Sequence, residues 1–381
     1  MIGKKKSVVF LFINGPHHVY HLILPALKYA SINNDTKTII ISGNPTNTKI
    51  INEAKILTGI TNFKLIDIPV PFRYKFKNYK NKLYPPVYTR IKKIVNILNE
   101  ASAIISTSHE IPTYLDNYKI KNSNLFYLYH GTGTRGYGFE EKLKNFDYIF
   151  TPGKYHSERL KKTLSLNKEQ IIIVGMPKLD WLKLKKIKKT SLFNNDAPVF
   201  YYNPHWDMKL SSYLKWEKTI LNFFLTNNQY NLIFSPHPIT KHLSKKGKYK
   251  IETGLKNSNN IIIDYGSEQC IDGTYCASAD VYIGDVSSMV TEWILQRPRP
   301  CIFINAHQIS WEENDDYYMW KFGSVISEFS LLEETIKKTV HKNPYEKIQK
   351  KLRSKFVHEN IKSSSRLIAE FILKKICSME K

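Results

Sequence analysis

Two histidines stand behind runs of β-branched and aromatic residues that predict buried strands. His130 follows the run 125–129, and His237 comes two residues after the run 232–235; each is flanked by glycine or proline. Tight turns built on such residues fix where a side chain lies. An imidazole can take a proton from an attacking hydroxyl or, when charged, neutralise a phosphate. Either histidine alone could be structural, but their matching positions in the two halves of the chain favour catalytic chemistry.

Hydroxyl groups cluster behind another predicted strand, the run 281–283. There the segment Asp285-Val286-Ser287-Ser288 precedes a predicted helix. Hydroxyls in the first turn of a helix bind phosphate together with its free backbone amides and positive dipole end. Glu292 lies two helical turns beyond Asp285, where it could accept from ribose hydroxyls; the alternative is an ordinary solvated glutamate. A plain helix N-cap is the alternative for the serines, but it explains only one hydroxyl. We therefore predict a phosphate group at Asp285, Ser287 and Ser288, and a ribose at Glu292.

Gly15, His17 and His18 follow the first predicted strand and are candidates for the acceptor side of a site. Solvation at a helix start is the alternative for the histidines. A metal cluster of His17, His18 and His21 is not expected, because adjacent histidines at a helix start diverge and no carboxylate accompanies them. We expect neither a metal nor any other cofactor.

Two further loops carry candidates for the nucleotide side. The segment 131–136 behind His130 fits the pattern G-x-G-x-x-G, but a helix after it could only be short, which argues for a phosphate-approaching or flexible loop. Its Arg135 is a candidate for the diphosphate. Pro204 and His205 follow the run 199–202 and are candidates for nucleotide contacts.

Strand-like runs alternate with amphipathic stretches throughout, which predicts an α/β fold of two doubly wound, Rossmann-like halves. A polar, basic stretch at 183–198 predicts the linker. The expected domains are an acceptor domain at 1–190 and a nucleotide-donor domain at 191–354, with a helix at 355–381 packing back on the first. Ligands bind at the carboxyl ends of such strands, so two such edges facing each other would form a central cleft. The predicted strands are 8–13, 38–42, 64–68, 103–106, 125–129, 148–151, 171–174, 199–202, 232–235, 261–264, 281–283 and 301–304.

The charge balance points to an anionic partner. Among 381 residues, 57 Lys and Arg face 33 Asp and Glu, a net charge of +24. Nucleic acid, anionic lipid and phosphorylated substrates all satisfy this charge. The stretch 72–90 interleaves aromatic and basic residues, which could stack bases or lie at a lipid interface; a solvated loop is the commoner outcome.

The chain is expected to be cytoplasmic and peripheral on the inner face of the membrane. The apolar run at 7–13 imitates a signal peptide but stops at Asn14 without a small-residue cleavage site, and no later run is long enough to span a bilayer. The four cysteines show no metal-ligand pairing, and three lie among apolar neighbours, which predicts buried free thiols in a reducing compartment. They are Cys270, Cys276, Cys301 and Cys377.

Several of these segments, in this order, resemble the motifs of the CDP-glycerol glycerophosphotransferase family, which builds teichoic acids and related surface polymers. The resemblance runs from about His130 to Asn305 and implies the GT-B architecture, two Rossmann-like domains facing a cleft. It further implies that His130 is the catalytic base, that His237, Ser287 and Ser288 hold the donor diphosphate, and that Glu292 lies near the donor's ribose. The segments are His130-Gly131-Thr132, residues 175–180, Asn203-Pro204-His205-Trp206, His237-Pro238 and residues 279–288.

We therefore predict a transferase that moves glycerol phosphate from CDP-glycerol, or a related nucleotide-linked donor, to a cell-surface polysaccharide or lipid-linked acceptor. One alternative is a nucleotide-sugar glycosyltransferase of capsule or lipopolysaccharide synthesis, or a UDP-sugar 2-epimerase, since these share the fold. A remote alternative is a nucleic-acid-binding protein without enzymatic activity, for which the sequence shows charge but no binding module.

Overall fold

The computed structural model describes residues 7–69, 87–121, 123–237, 240, 258–357 and 362–378, without the side chain of Tyr137. The chain divides into two compact units. The first comprises Met1–Gly131, Phe139–Lys185 and Lys355–Lys381, and the second comprises Thr132–Gly138 and Lys186–Ser354. The loop behind His130-Gly131 thus belongs to the second unit, although the strand before it belongs to the first.

A seven-stranded parallel sheet forms the centre of the first unit, in the order β3-β2-β1-β4-β5-β6-β7. Its central strands are unbroken apolar runs because helices cover both faces and neither face meets water; Val8, Val9 and Phe10 have no exposed surface. The strand order reverses between β1 and β4, the kind of point at which α/β sheets bind ligands. The strands are β1 (Ser7–Phe12), β2 (Lys37–Ser42), β3 (Lys64–Asp67), β4 (Ala101–Ser106), β5 (Asn124–Leu128), β6 (Tyr148–Thr151) and β7 (Ile171–Ile173).

A six-stranded parallel sheet forms the second unit, in the order β10-β9-β8-β11-β12-β13. Here the order reverses between β8 and β11, so the loops behind these two strands lie at the switch point. Its strands are β8 (Val199–Asn203), β9 (Asn231–Phe234), β10 (Ile261–Ile263), β11 (Val281–Gly284), β12 (Cys301–Ile304) and β13 (Ser324–Ile326).

The helices begin and end where local signals place them. In the second helix, Asn44 accepts a hydrogen bond from the backbone amide of Asn47, Pro45 opens the first turn, and Gly59 ends the helix in the left-handed region at φ 67°. The α-helices are α1 (Val19–Ile32), α2 (Pro45–Thr58), α3 (Val87–Ile91), α4 (Val95–Asn99), α5 (Ile111–Asn117), α6 (Lys154–Leu164), α7 (Pro177–Leu184), α8 (Tyr213–Thr226), α9 (Thr274–Ser278), α10 (Met289–Gln296), α11 (Leu332–Val340), α12 (Glu346–Phe356) and α13 (Ser364–Ser378). None of the described helices is long and apolar enough to cross a membrane.

The last helix, α13, packs on the first unit against α1 and α7. Asp180, in α7, fixes its start: Oδ2 accepts from the backbone amide of Ser365 at 2.8 Å and from the Ser363 hydroxyl at 3.0 Å. Upstream, the backbone of Phe356 passes so close to Gly153 that a Cβ on this glycine would lie 2.4 Å from the Phe356 carbonyl. Gly153 is therefore required for the close approach of the two backbones.

The structure confirms the α/β fold class. Each of the twelve predicted strands is present, with ends within two residues of those predicted. A thirteenth, β13, was not predicted, because three residues are too few to show periodicity.

Candidate active site

The predicted site residues fall into two groups, one in each unit. In the first unit, three histidines meet at the carboxyl ends of neighbouring strands. His17 and His18 belong to the short turn behind β1, and His130 follows β5. The ring centroids of His18 and His130 are 3.9 Å apart, those of His17 and His18 are 4.3 Å apart, and those of His17 and His130 are 6.2 Å apart.

Backbone and side-chain hydrogen bonds fix the orientation of His18. The Gly15 carbonyl accepts from the amide of His18 at 3.0 Å. On the ring, Nδ1 of His18 lies 3.0 Å from Oγ1 of Thr107 and 3.4 Å from Nδ2 of Asn14. Asn14 and Thr107 follow β1 and β4, so the switch point of the sheet supplies both. Sequence reasoning missed these two residues, although their positions behind predicted strands were a usable signal.

Burial holds His18, His130 and the neighbouring His21 in the neutral form. Burial lowers the pKa of His130 from the ordinary 6.5 to about 4; the charge of His109 acts in the same direction, and a hydrogen bond with the backbone of Thr107 opposes both. Burial also lowers the pKa values of His18 and His21 well below 6.5. A neutral imidazole keeps a lone pair, so His130 is in the form that accepts a proton.

A mixed cluster of charged groups lies beside His130. Among the described residues, His109, Glu110 and Glu140 each offer a ligand atom within 4.8 Å of the others, a spacing that a metal ion could use. Lys142 already supplies a positive charge there, since Nζ lies 2.6 Å from Oε1 of Glu110, and this hydrogen bond raises the pKa of the lysine. The expectation of a site without metal stays a prediction.

In the second unit, the loop Thr132–Gly138 meets the residues behind β8 and β11. Nη1 of Arg135 lies 3.4 Å from Nε2 of His205. The backbone amide of Gly136 donates to Oδ1 of Asp316 at 2.9 Å. A Cβ on Gly133 would lie 3.5 Å from Cβ of Ser288. The structure thus brings the candidates Arg135 and His205 together and places Ser288 next to the same loop.

Asp285 lies behind β11, as predicted, but its side chain is buried. Its side chain has no exposed surface, and Oδ2 accepts from the backbone amides of His205 at 2.9 Å and Ser212 at 3.0 Å. Burial raises the carboxyl pKa to about 6, and these hydrogen bonds oppose the rise. A buried carboxylate that already holds two amides is a poor neighbour for a diphosphate. Asp285 therefore supports the loop that carries His205, and its predicted contact with diphosphate stays a prediction.

The two serines behind Asp285 differ from each other. Oγ of Ser287 accepts from the backbone amide of Met289 at 3.1 Å, which satisfies the start of α10. Ser288 is exposed and its side chain makes no capping hydrogen bond, so its hydroxyl remains available at the helix start. Glu292, in the first turn of α10, is only 7% exposed, so it is not the solvated glutamate of the alternative interpretation.

The remaining nucleotide-side candidates are also buried. Pro204 and His205 form the start of the loop behind β8. Burial lowers the pKa of His205 to about 4, and the charges of Arg135 and His237 lower it further. Burial alone lowers the pKa of His237 to about 4. Both histidines are therefore neutral near pH 7.

Two other sequence predictions have mixed outcomes. Most of the basic and aromatic stretch, residues 72–86, lies outside the described residues. At its end, Arg90 is buried and donates through Nη1 to the Ile13 carbonyl, a structural contact. Cys270, Cys276 and Cys301 are buried free thiols as predicted; Cys377 is free but exposed.

The lowered histidine pKa values predict a loss of stability in mild acid. When the pKa of a histidine is lower in the folded state than in the unfolded state, the folded state is most stable at a pH above the unfolded-state pKa. Its stability then decreases as the pH falls toward the folded-state pKa, because the unfolded chain binds the proton more readily. For His130, His205 and His237, with folded values of about 4 against 6.5, the loss between pH 7 and pH 5 is about 2 kcal/mol each. Asp285, with its raised pKa of about 6, becomes more stabilising as the pH falls and offsets about 1 kcal/mol.

We therefore expect the melting temperature to fall clearly between pH 7 and pH 5, before ordinary carboxylates titrate. Differential scanning calorimetry at the two pH values measures this fall. The variant His205→Gln, which cannot titrate, should show a smaller fall than the wild type. Equal melting temperatures at both pH values would contradict the expectation.

Comparisons with known proteins agree on both family and fold. The family model described as CDP-Glycerol:Poly(glycerophosphate) glycerophosphotransferase matches residues 72–374, about four fifths of the chain. No curated protein sequence matches the chain.

Several solved structures share its fold. The wall teichoic acid polymerase TagF superposes with a TM-score of 0.66 at 16% identity, covering 99% of this chain and 91% of that one. A variant of TagF soaked with CDPG gives 0.59 at 17% identity, covering 99% and 90%. The UDP-GlcNAc 2-epimerase from Neisseria meningitidis bound to UDP-GlcNAc gives 0.57 at 14% identity, covering 97% and 100%. At such identities the structures show the fold alone.

Transferase and epimerase thus share this fold, and the family match decides between them. It covers β4 to β7 of the first sheet, the whole second sheet, every candidate of the second unit, and His130. The epimerase, sugar-transferase and nucleic-acid interpretations are not needed to explain any of these findings. The chain belongs to the CDP-glycerol:poly(glycerophosphate) glycerophosphotransferase family and is a GT-B transferase that moves glycerol phosphate from CDP-glycerol.

Proposed function

We propose that the chain transfers glycerol phosphate to a hydroxyl group of a cell-surface polysaccharide or a lipid-linked acceptor, with His130 as the general base. One observation carries this proposal: His130, in the His-Gly motif behind β5, has a lowered pKa and packs against His18, which lies at the switch point of the first sheet. A histidine that is neutral near pH 7 can take the proton that an acceptor hydroxyl must lose.

The reaction balances with these groups alone. The acceptor hydroxyl gives its proton to His130, and its oxygen bonds to the phosphorus that carries glycerol in CDP-glycerol. The bond from that phosphorus to the bridging oxygen breaks, and CMP leaves with the electron pair. The low pKa of His130 in the free protein does not oppose this, because a nearby anionic donor raises the pKa of an imidazole.

The second unit supplies groups suited to the leaving phosphate. Ser288 offers an exposed hydroxyl at the start of α10, where the backbone amides and helix dipole favour an anion. Arg135 adds a permanent positive charge, and His237 follows β9. We propose that these groups stabilise the diphosphate without a metal, and that the buried Glu292 lies near the ribose.

The acceptor side of the proposal includes a membrane surface. The net charge of +24 favours an anionic lipid surface, which would bring the chain to lipid-linked acceptors from the cytoplasmic side. The rings of the acceptor-side candidates His17 and His18 pack near His130, and the carbonyl of the third candidate, Gly15, accepts from the amide of His18, which supports this role.

Turnover with labelled CDP-glycerol and a lipid-linked glycerol phosphate acceptor, in the presence of EDTA, tests the proposal. We expect acceptor-dependent release of CMP, stimulated by vesicles that contain anionic lipid. UDP-sugars should neither react nor compete with CDP-glycerol. Strict dependence on a divalent metal would contradict the metal-free scheme, and uridine selectivity would contradict the donor.

A further inference from the structure

The hydrogen bonds of His205 fix which of its ring nitrogens carries the proton. The backbone amide of Asp207 points at Nδ1 of His205 with a distance of 3.0 Å. A backbone amide can only donate, so Nδ1 must accept and carries no proton. The neutral ring then has its proton on Nε2. The side chain is only 9% exposed and its pKa is lowered to about 4, which keeps this neutral form at pH 7.

This tautomer places two donors face to face. Nε2 of His205 lies 3.4 Å from Nη1 of Arg135, and a guanidinium nitrogen has no lone pair to offer. Neither group can accept from the other. One oxygen placed between the two groups can accept hydrogen bonds from both, and the positive guanidinium makes an anionic oxygen the preferred acceptor.

The surroundings hold both donors in place. The backbone amide of His205 is bound by the buried Asp285, and the loop of Arg135 is bound through Gly136 to Asp316. The ionisable neighbours of the His205 ring are Arg135 and His237, which lower its pKa, and Asp207, which raises it through its charge and through a backbone hydrogen bond. Ser288 lies beside Gly133 of the same loop, so a hydroxyl at the start of α10 is close to the two donors.

We propose that Nε2 of His205 and the guanidinium of Arg135 bind the same phosphate group, the one that leaves on the nucleotide. This inference rests on the proposed function, because it takes the ligand of the second unit to be the diphosphate of CDP-glycerol. His205 was predicted at the nucleotide from sequence; the tautomer assigns it to the phosphate. The negative charge on this phosphate increases as the bond to the bridging oxygen breaks, so both hydrogen bonds strengthen during transfer. His205 keeps its proton throughout.

Nitrogen-15 NMR of the histidine-labelled full chain tests the tautomer without any activity assay. We expect the His205 resonances of a ring protonated at Nε2, and a shift of the Nε2 proton on addition of CMP or inorganic pyrophosphate but not of cytidine. A proton on Nδ1 would overturn the proposal, as would a resonance that CMP leaves unchanged.

Calorimetric titration of matched variants tests the binding role. In His205→Asn the amide can replace Nδ1 as the acceptor for Asp207 but has no donor at the position of Nε2. In His205→Gln the donor is retained. We expect His205→Asn to weaken CMP binding by about 10- to 100-fold, the loss of one hydrogen bond to a charged group, and His205→Gln to weaken it less. Cytidine binding should be the same in both variants as in the wild type.

Titrations with other ligands distinguish a failure of this inference from a failure of the proposed function. If the wild type binds pyrophosphate with the same sensitivity to His205→Asn but shows no preference for cytidine nucleotides, the donor assignment fails while the two-donor phosphate site stands. If only glycerol 3-phosphate binding responds to His205→Asn, the pair binds the acceptor's phosphate and the assignment to the leaving nucleotide is wrong. Equal CMP affinities of His205→Asn and the wild type would overturn it entirely.

Discussion

Replacement of His130 by alanine should lower kcat by about 10²- to 10⁴-fold, the range that a positioned general base contributes. The substitution removes the group that takes the proton of the acceptor hydroxyl. CMP affinity should change little, because the donor groups Arg135, His205 and Ser288 belong to the second unit and His130 to the first. Steady-state kinetics with CDP-glycerol and calorimetry with CMP measure the two effects separately.

Three controls make this result specific. His341→Ala removes an exposed histidine at the end of α11 and should leave kcat and CMP affinity unchanged. Ser288→Ala should give the opposite pattern from His130→Ala, with weaker CMP binding as its main effect. Circular dichroism shows whether His130→Ala is folded. If the His130→Ala protein is folded and has wild-type turnover, His130 is not the general base.

The neighbourhood of His130 shows how far the sequence predicts a site. Apolar runs followed by Gly, His or Pro identified the strand ends, so the sequence placed His17, His18 and His130 at the edge of one sheet. It did not predict that His18 packs on His130, because that contact depends on β1 and β5 flanking β4. Spatial strand order arises from how helices cross between strands, and one sequence does not specify it. Thr107, behind β4, was missed for the same reason.

The sequence also did not predict the direction in which each side chain points. Asp285, Ser287 and Ser288 share one segment and received one predicted role. The structure turns Asp285 into the unit, uses Ser287 at the helix start and leaves Ser288 exposed. A polar run behind a strand predicts that a ligand binds nearby. It does not say which of its members bind the ligand and which support them, because burial of a charged group depends on partners from distant parts of the chain.

Replacement of Asp285 by alanine should therefore damage both stability and donor binding. The carboxylate joins the end of β11 to the backbone amide of His205 and to that of Ser212, the residue before α8. Removing it leaves two buried amides without their acceptor, at a cost of about 3 kcal/mol in the free energy of unfolding. Because the same carboxylate fixes the loop of His205, CMP affinity should fall at least about tenfold with the loss of that donor's position.

Asp285→Asn is the matched control, since its remaining oxygen can accept from both amides while the charge is removed. The buried carboxyl pKa of about 6 means that, in the wild type, ionisation above this value opposes folding. The contribution of this group to the free energy of unfolding is thus greatest below the pKa of the carboxyl in the unfolded state, and it is lost as the pH rises through 6. The asparagine variant should not lose stability in this way. Relative to the wild type, its melting temperature should therefore be higher above pH 7 than near pH 5. If Asp285→Ala melts and binds CMP like the wild type, this carboxylate does not hold the His205 loop, and the phosphate site proposed on that loop loses its support.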